Sequence, residues 1–92
     1  MDFKISNGKI WLENQSGKIT AYVTFPEFAP GKVEVTHTVV EPELQGQGIA
    51  GQLMNELVKY LRSTGKKATL TCSYAVKWFT KHEEASDVLI RD

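Results

Sequence analysis

The stretch of residues 40–51 constrains the fold most, because the hydrophobic pattern changes its period there. An apolar, β-branched run over residues 33–40 enters this stretch, and an amphipathic run that ends near Thr64 leaves it. Gly46 and Gly48 lie between the two runs, so the pattern predicts a strand, a tight loop and a helix. The first N–H groups of such a helix lack internal partners and carry partial positive charge, and glycine lets an anion approach the main chain. The stretch therefore predicts a site for a phosphate group.

The predicted helix packs one side against a sheet. Its apolar residues recur every four positions, with polar residues mostly opposite, and they are Ile49, Leu53, Leu57 and Leu61. Gly65 should end the helix, and residues 68–72 form a second buried strand. Because strand-helix-strand crossovers are right-handed, this strand should lie parallel to the one that ends at Val40. The glycine loop then lies at the carboxyl end of a parallel strand, where open α/β sheets place ligands.

The first forty residues predict an antiparallel meander of four strands. Asn7-Gly8 marks a hairpin turn between the first two strands. The run from Ile19 to Phe25 alternates as a strand with one face in a core. Residues 33–40 alternate in the same way, which would place on one face Val33, Val35, His37 and Val39.

A last helix is predicted from Tyr74 to about His82, with Ser73 as its N-cap. Residues 83–92 fit either a short strand or a helical turn. Together the elements predict an α/β protein of the α+β type. It has a mixed, mostly antiparallel sheet of about five strands, a parallel strand-helix-strand crossover and a C-terminal helix. We expect one domain over residues 1–92, a length that allows only a modest core.

The composition argues against several classes of function. Eleven Lys and Arg residues balance eleven Asp and Glu residues. No net electrostatic field is therefore expected to recruit nucleic acid or an anionic membrane. The chain shows neither a long apolar span nor a targeting pattern, which makes a cytoplasmic protein the default expectation. The single cysteine, Cys72, cannot form an internal disulfide. No His, Cys and Asp cluster has the spacing of metal ligands, and no oligomeric state is indicated.

The loop carries a recognisable motif. Gln45-x-x-Gly48-x-Ala50, with Val-x-Pro before it and Leu53-Met54 after it, resembles the acetyl-CoA pyrophosphate loop of the GNAT superfamily of N-acetyltransferases. It differs from the dinucleotide and NTPase loops, which need a third glycine or a Gly-Lys-Ser/Thr ending. The alternative is a strand, a turn and a helix with no ligand.

The resemblance implies acetyl-CoA as the cofactor. In the superfamily two parallel strands splay apart, and the pantetheine arm enters the gap like an extra strand. By position, the backbone of Thr38, Val39 and Val40 would line the arm. The pyrophosphate would be held by backbone N–H groups of Gln45, Gly46, Gln47, Gly48, Ile49, Ala50 and Gly51.

The chain departs from the superfamily pattern at several positions. Gln45 stands where many members carry arginine, which weakens one contact without removing the site. In the signature Asn-x-x-Ala-x-x-x-Tyr, this chain has Cys72, Ala75 and Phe79. The family tyrosine commonly protonates the departing CoA thiolate, and phenylalanine has no proton to donate. Tyr74 is expected on a different helix face, so another group or bulk water would serve.

Cys72 and His37 are the candidate catalytic residues. A thiol between a strand end and a helix N-terminus feels the positive end of the helix dipole, which lowers its pKa and favours the thiolate. Cys-Ser-Tyr-Ala in so short a chain resembles a small GNAT subgroup that carries this cysteine. Cys72 would accept the acetyl group or lie beside the thioester; the alternative is an inert core residue. His37 is either a core residue or a base that deprotonates Cys72.

The acceptor side is expected to be open. Full-length relatives place one or two helices between their first two strands, whereas a turn alone connects these strands here. An open side suits an amine acceptor on a protein or peptide. The sequence therefore predicts an acetyl-CoA-dependent N-acetyltransferase. The alternatives are a CoA-binding or acetyl-CoA-sensing module without catalysis, and a partner-binding domain with a vestigial site.

Overall fold

The computed structural model describes residues 2–90, so residues 1, 91 and 92 of the expected domain lie outside the described residues. Two short 3-10 helices, Pro42–Leu44 and Glu83–Val88, accompany the main elements. Neither α-helix within the described range is long and apolar enough to cross a membrane. The strands and helices are β1 (Lys4–Ser6), β2 (Lys9–Glu13), β3 (Ile19–Thr24), β4 (Glu27–Ala29), β5 (Lys32–Val35), β6 (His37–Val40), α1 (Ile49–Thr64), β7 (Lys67–Leu70) and α2 (Ser73–Lys81).

The strands form two sheets. One has the order β1-β2-β3-β6 and is antiparallel throughout; the other has the order β4-β5-β7, with β7 parallel to β5. α1 lies in the crossover between the two parallel strands. The predicted fold class is therefore confirmed: a mixed, mostly antiparallel α+β architecture with a parallel strand-helix-strand crossover and a C-terminal helix. The strands are shorter and more numerous than expected, because the chain breaks after Thr24 and again at Thr36.

A β-bulge at Thr36 divides the strand that the sequence predicted over residues 33–40. The backbone N–H of Thr36 donates to Thr24 O at 3.0 Å, and the hydroxyl oxygens of the two threonines lie 2.7 Å apart. One extra residue reverses the alternation of side chains beyond it. The valines of β5 are therefore buried, whereas Val39 is 39% exposed and His37 is exposed. The prediction that these residues share one face is wrong.

The core lies between α1 and the four-stranded sheet. Every fourth residue of α1 faces it, as predicted, and none of Ile49, Leu53, Leu57 and Leu61 is more than 2% exposed. Ala21 and Val23 of β3 are fully buried, but Ile19 is 38% exposed. The register between β2 and β3 shifts at Leu12 and Glu13, which places Ile19 beside Glu13 and outside the predicted buried face.

α2 begins one residue earlier than predicted. Cys72 is its N-cap, with extended backbone at φ −81° and ψ 124°, and Ser73 is the first helical residue. The prediction of Ser73 as the cap is therefore wrong. After the second 3-10 helix, Leu89 forms a parallel bridge with Ala68, and the N–H of Ile90 donates to Ala68 O at 2.8 Å. The C-terminal segment thus combines a helical turn with a short strand-like contact.

Candidate functional site

A cleft opens where β6 turns away from β7. The backbone N–H groups of Thr71 and Cys72 both donate to Val35 O, at 3.1 and 3.0 Å. Beyond that point β6 pairs with β3 and β7 pairs with β5, so the two chain segments no longer share hydrogen bonds. The divergence leaves one edge of β6 without a neighbouring strand in the described sheets.

The register of β6 determines which main-chain groups face this cleft. Glu41 donates its N–H to Thr20 O at 2.9 Å, and Val39 lies opposite Tyr22. In an antiparallel pair, hydrogen-bonded and non-hydrogen-bonded positions alternate. The main-chain groups of Val39 therefore point towards β3, whereas those of Thr38 and Val40 point into the cleft.

The glycine loop closes one end of the cleft. Gly46 and Gly48 have φ angles of 86° and 77°, which L side chains rarely adopt, and a Cβ on either would meet no atom within 4 Å. Gly48 is the N-cap of α1, and its carbonyl accepts the N–H of Gln52 at 3.1 Å. The N–H groups of the three intervening residues have no partner within the helix. Open space beside free donors at a helix N-terminus fits a phosphate.

A cavity of about 220 Å³ lies over the loop. Its walls carry no charged side chain, because it is lined by Val40, Leu44, Gln45, Gly46, Gly48, Ile49, Ala50, Gly51 and Tyr74. Most predicted cofactor-binding residues of the loop are thereby brought together. Gln47 lies outside this cavity and lines a larger one of about 650 Å³ on the other side of the loop.

The side chain of Gln45 reaches back to the strand. Its Nε2 donates to Val40 O at 3.1 Å. This carbonyl is one of the groups that point into the cleft, so the amide of Gln45 occupies a position that a ligand N–H could take. The substitution of glutamine for arginine therefore gives the loop a neutral contact to its own strand.

The Cys72 thiol lies between β6 and α2. It donates to Thr38 Oγ1 at 3.4 Å. Partial burial raises the pKa of the Cys72 thiol, but hydrogen bonding from the Thr38 hydroxyl and from the backbone N–H groups of Ala75, Tyr74 and Thr38 outweighs burial. The net pKa lies below the ordinary value for cysteine. The predicted effect of the helix N-terminus is thus accompanied by a hydroxyl that the sequence did not suggest.

His37 lies apart from this arrangement. It is exposed and stands opposite Thr24 in the register of β6 with β3. Adjacent residues of a strand point to opposite faces, so His37 points away from the face of Thr38. No hydrogen bond within residues 2–90 connects His37 with Cys72. Deprotonation of Cys72 by His37 stays a prediction.

Two aromatic residues of α2 were not predicted as site residues. Tyr74 lines the cavity over the loop, and a Cβ on Gly51 would lie 3.8 Å from both Tyr74 Oη and Trp78 Nε1. Burial raises the pKa of the Tyr74 phenol. The sequence signal was their spacing, since residues four apart on a helix share a face. Phe79, at the position of the family tyrosine, is only 4% exposed and packs edge-on against Trp78.

Side chains of the metal-ligating types are not clustered in the described structure. Among residues 2–90, no group of three or more His, Cys, Asp or Glu side chains is arranged to hold a metal ion. The polar groups of the cleft are the Cys72 thiol, the hydroxyls of Thr38 and Tyr74, and the main-chain donors of the loop.

The chain is similar to known acetyltransferases in sequence and in structure. A family model described as GCN5-related N-acetyl-transferase matches residues 9–88. No curated protein sequence matches the chain. The NMR solution structure of a GCN5-like protein from Staphylococcus aureus aligns with a TM-score of 0.79 and 25% identity, over 97% of this chain and 87% of that one.

Two crystal structures share the fold at lower identity. GCN5 from Tetrahymena aligns with a TM-score of 0.66 and 18% identity, over 91% of this chain and 60% of that one. The GNAT-family N-acetyltransferase YhbS from Escherichia coli, in complex with CoA, aligns with a TM-score of 0.60 and 22% identity, over 67% of this chain and 38% of that one. The chain thus spans less than two thirds of the length of both proteins.

Proposed function

This chain belongs to the GCN5-related N-acetyl-transferase family, and we propose that it transfers the acetyl group of acetyl-CoA to an amine on a protein or peptide. The observation that carries the proposal is the divergence of β6 from β7 beyond Val35, with the glycine loop at one end and Cys72 inside. A cleft with a free strand edge, N–H groups that can hydrogen-bond a phosphate, and a thiol suits a long thioester ligand.

The strand edge and the loop bind different parts of the ligand in this proposal. The main-chain groups of Thr38 and Val40 hydrogen-bond the amides of the pantetheine arm. Val39 lies between them, and its own main-chain groups face β3 instead. The N–H groups of the loop from Gln45 to Gly51 hold the pyrophosphate. Support comes from the positive φ angles of Gly46 and Gly48 and from the uncharged cavity above them.

Cys72 accepts the acetyl group in the proposed reaction. Its thiolate attacks the thioester carbonyl carbon, a C–S bond to Cys72 forms, and the bond to the CoA sulfur breaks with its electron pair. That sulfur takes a proton from water, since Phe79 has none to give. The acceptor amine then attacks the carbonyl carbon of acetylated Cys72, the C–N bond forms, the C–S bond to Cys72 breaks to release the thiolate, and the amine proton passes to water. If Cys72 only lies beside the thioester, the amine attacks the thioester directly.

The acceptor approaches Cys72 through the open side of the site. β1 passes to β2 through a two-residue turn, so the described chain has no helix between these two strands. His37 is exposed on the strand face opposite Thr38, so the proposed transfer uses no contact between His37 and the Cys72 thiol.

The proposal is tested with acetyl-CoA and a panel of lysine peptides, peptides with free N-termini and small amines, read by mass spectrometry. We expect acetylated peptide to accumulate with turnover, together with a protein species that carries one added acetyl group. Acetylation of small amines alone would contradict the proposed acceptor class.

A CoA-sensing module without catalysis is the second candidate, and the observation that favours it is Phe79. The position that commonly supplies a tyrosine proton donor holds a buried, apolar ring. This candidate predicts saturable binding of acetyl-CoA with no product from any acceptor in the panel. Catalytic turnover on any member of the panel would exclude it.

A further inference from the structure

We propose that Tyr74 and Trp78 bind a phosphate oxygen of the ligand over Gly51, as a side-chain counterpart to the backbone N–H groups of the loop. The inference rests on the proposed function, because it concerns the phosphates of a CoA ligand. It adds two side chains of α2 to a site otherwise made of main-chain donors.

Both donors converge on one point at the start of α1. A Cβ on Gly51 would lie 3.8 Å from Tyr74 Oη and 3.8 Å from Trp78 Nε1. Tyr74 and Trp78 stand four residues apart, so they project from the same face of α2. Neither polar atom has a hydrogen-bond partner within residues 2–90. Two unused donors thus face the helix end where backbone N–H groups are also free.

The indole of Trp78 is held in place. Trp78 is only 8% exposed. Its ring stacks on His82 with centroids 3.9 Å apart and an interplanar angle of 10°, and Phe79 packs against it edge-on. His82 Nδ1 lies 2.7 Å from Trp78 O and fixes the stacking partner. Among residues 2–90 no buried side-chain nitrogen or oxygen lacks a partner, so the unpartnered indole N–H is accessible from outside and a ligand oxygen can reach it.

The phenol of Tyr74 suits the same task. It lines the cavity over the loop, and burial raises the pKa of Tyr74, so the hydroxyl stays protonated near neutral pH. No carboxylate lines that cavity. An anion there would meet neutral donors and the positive end of the α1 dipole, with no acidic side chain to repel it.

Gly51 leaves the space that the oxygen would fill. It lies in the first turn of α1, where alanine favours the helix over glycine. The nearest atoms to an added methyl, at 3.8 Å, are ordinary van der Waals contacts, so alanine fits without strain. The methyl would nevertheless stand between the two donors and the helix end. Gly51→Ala is therefore expected to stabilise the free protein and to weaken binding of the ligand.

The test measures binding of three ligands to the wild-type protein, Tyr74→Phe, Gly51→Ala and Trp78→Phe. The ligands are CoA, 3′-dephospho-CoA and pantetheine, which lacks phosphate. For CoA we expect Tyr74→Phe and Gly51→Ala each to raise Kd by about tenfold, the usual effect of losing a hydrogen bond to a charged group. Binding of pantetheine, followed by NMR titration, should not change. Gly51→Ala should also raise Tm.

The ligand series separates the two phosphate sources. An equal loss with CoA and 3′-dephospho-CoA assigns the donors to the pyrophosphate, and a loss with CoA alone assigns them to the 3′-phosphate. Wild-type affinity for CoA in both Tyr74→Phe and Gly51→Ala would overturn the inference and leave the proposed function intact. Absence of CoA binding to the wild-type protein would overturn both. Trp78→Phe should also raise Kd for CoA by about tenfold and leave binding of pantetheine unchanged, and wild-type affinity for CoA in this variant would remove Trp78 from the phosphate site.

Discussion

Cys72 Sγ lies 3.4 Å from Thr38 Oγ1, so a thiol at the N-terminus of α2 contacts a hydroxyl on the diverging strand β6. The contact joins the two sides of the cleft beside the main-chain groups that we propose to bind the pantetheine arm. It also gives the thiolate a hydroxyl donor besides the N–H groups of the helix. The reactivity of Cys72 and the shape of the cleft therefore depend on the same residue of β6.

Thr38→Val should move the alkylation of Cys72 to higher pH. Only the thiolate reacts with iodoacetamide, and the hydrogen bond from Thr38 is among the causes that lower the pKa of Cys72. In the wild-type protein the reaction should therefore begin below the pH at which a free cysteine reacts. Thr38→Ser keeps the hydroxyl and should retain the wild-type profile. Identical profiles for all three proteins would mean that Thr38 does not stabilise the thiolate.

Cys72→Ala should lower acetyl transfer by at least about tenfold, which corresponds to about 1.4 kcal/mol of transition-state stabilisation. The expected cause is loss of the nucleophile, because the loop and the edge of β6 remain. Steady-state turnover and the Kd of acetyl-CoA are measured on the same preparation. Unchanged Kd with lower turnover supports a chemical role, whereas unchanged turnover would remove Cys72 from the mechanism.

His37→Gln should leave acetyl-CoA binding and the alkylation of Cys72 unchanged. The side chain is exposed on the face opposite Thr38, and no hydrogen bond within residues 2–90 joins it to the thiol. The measurement is the rate of Cys72 alkylation against pH, beside a titration with acetyl-CoA. A slower alkylation of Cys72 in His37→Gln would instead favour the role of base towards the cysteine.

Leu57→Ala should destabilise the protein by about 2–5 kcal/mol, the usual range for a buried leucine. Leu57 is 0% exposed on the face of α1 that packs on the sheet. Urea denaturation measures the change. The control is Val76→Ala, because the side chain of Val76 on α2 is 45% exposed. The control should change stability by about 0.5 kcal/mol or less. Equal losses in both variants would contradict the assignment of the core.

The sequence predicted the parts of the fold that follow from a regular period. Apolar residues recur every four positions from Ile49 to Leu61, and this spacing was sufficient to predict the helix, because a helix buries one face. The strand-helix-strand order was sufficient to predict the crossover. The bulge at Thr36 could not be predicted in this way. It depends on hydrogen bonds to Thr24, a residue on another strand, and alternation carries no sign of such a partner.

For the candidate site too, the residues of a local motif could be predicted, whereas those that depend on packing between elements could not. Loop glycines act through their own backbone, so Gly46 and Gly48 are visible as a local motif. Tyr74 and Trp78 matter through their position against Gly51 on another helix, and that position depends on how α1 and α2 pack. Their spacing indicated a shared face, but not which element the face would meet.

Gly48→Glu, titrated with acetyl-CoA in a calorimeter, tests the central claim most directly. Its matched control is Gly17→Glu, since Gly17 has a similar φ of 82°, a Cβ there would also meet no atom within 4 Å, and it belongs to the turn between β2 and β3. We predict saturable heat for the wild-type protein and for Gly17→Glu, and none for Gly48→Glu, in which the carboxylate obstructs and repels the pyrophosphate. Equal binding by all three proteins, or no binding by the folded wild-type protein, would contradict the assignment of the loop as the acetyl-CoA site.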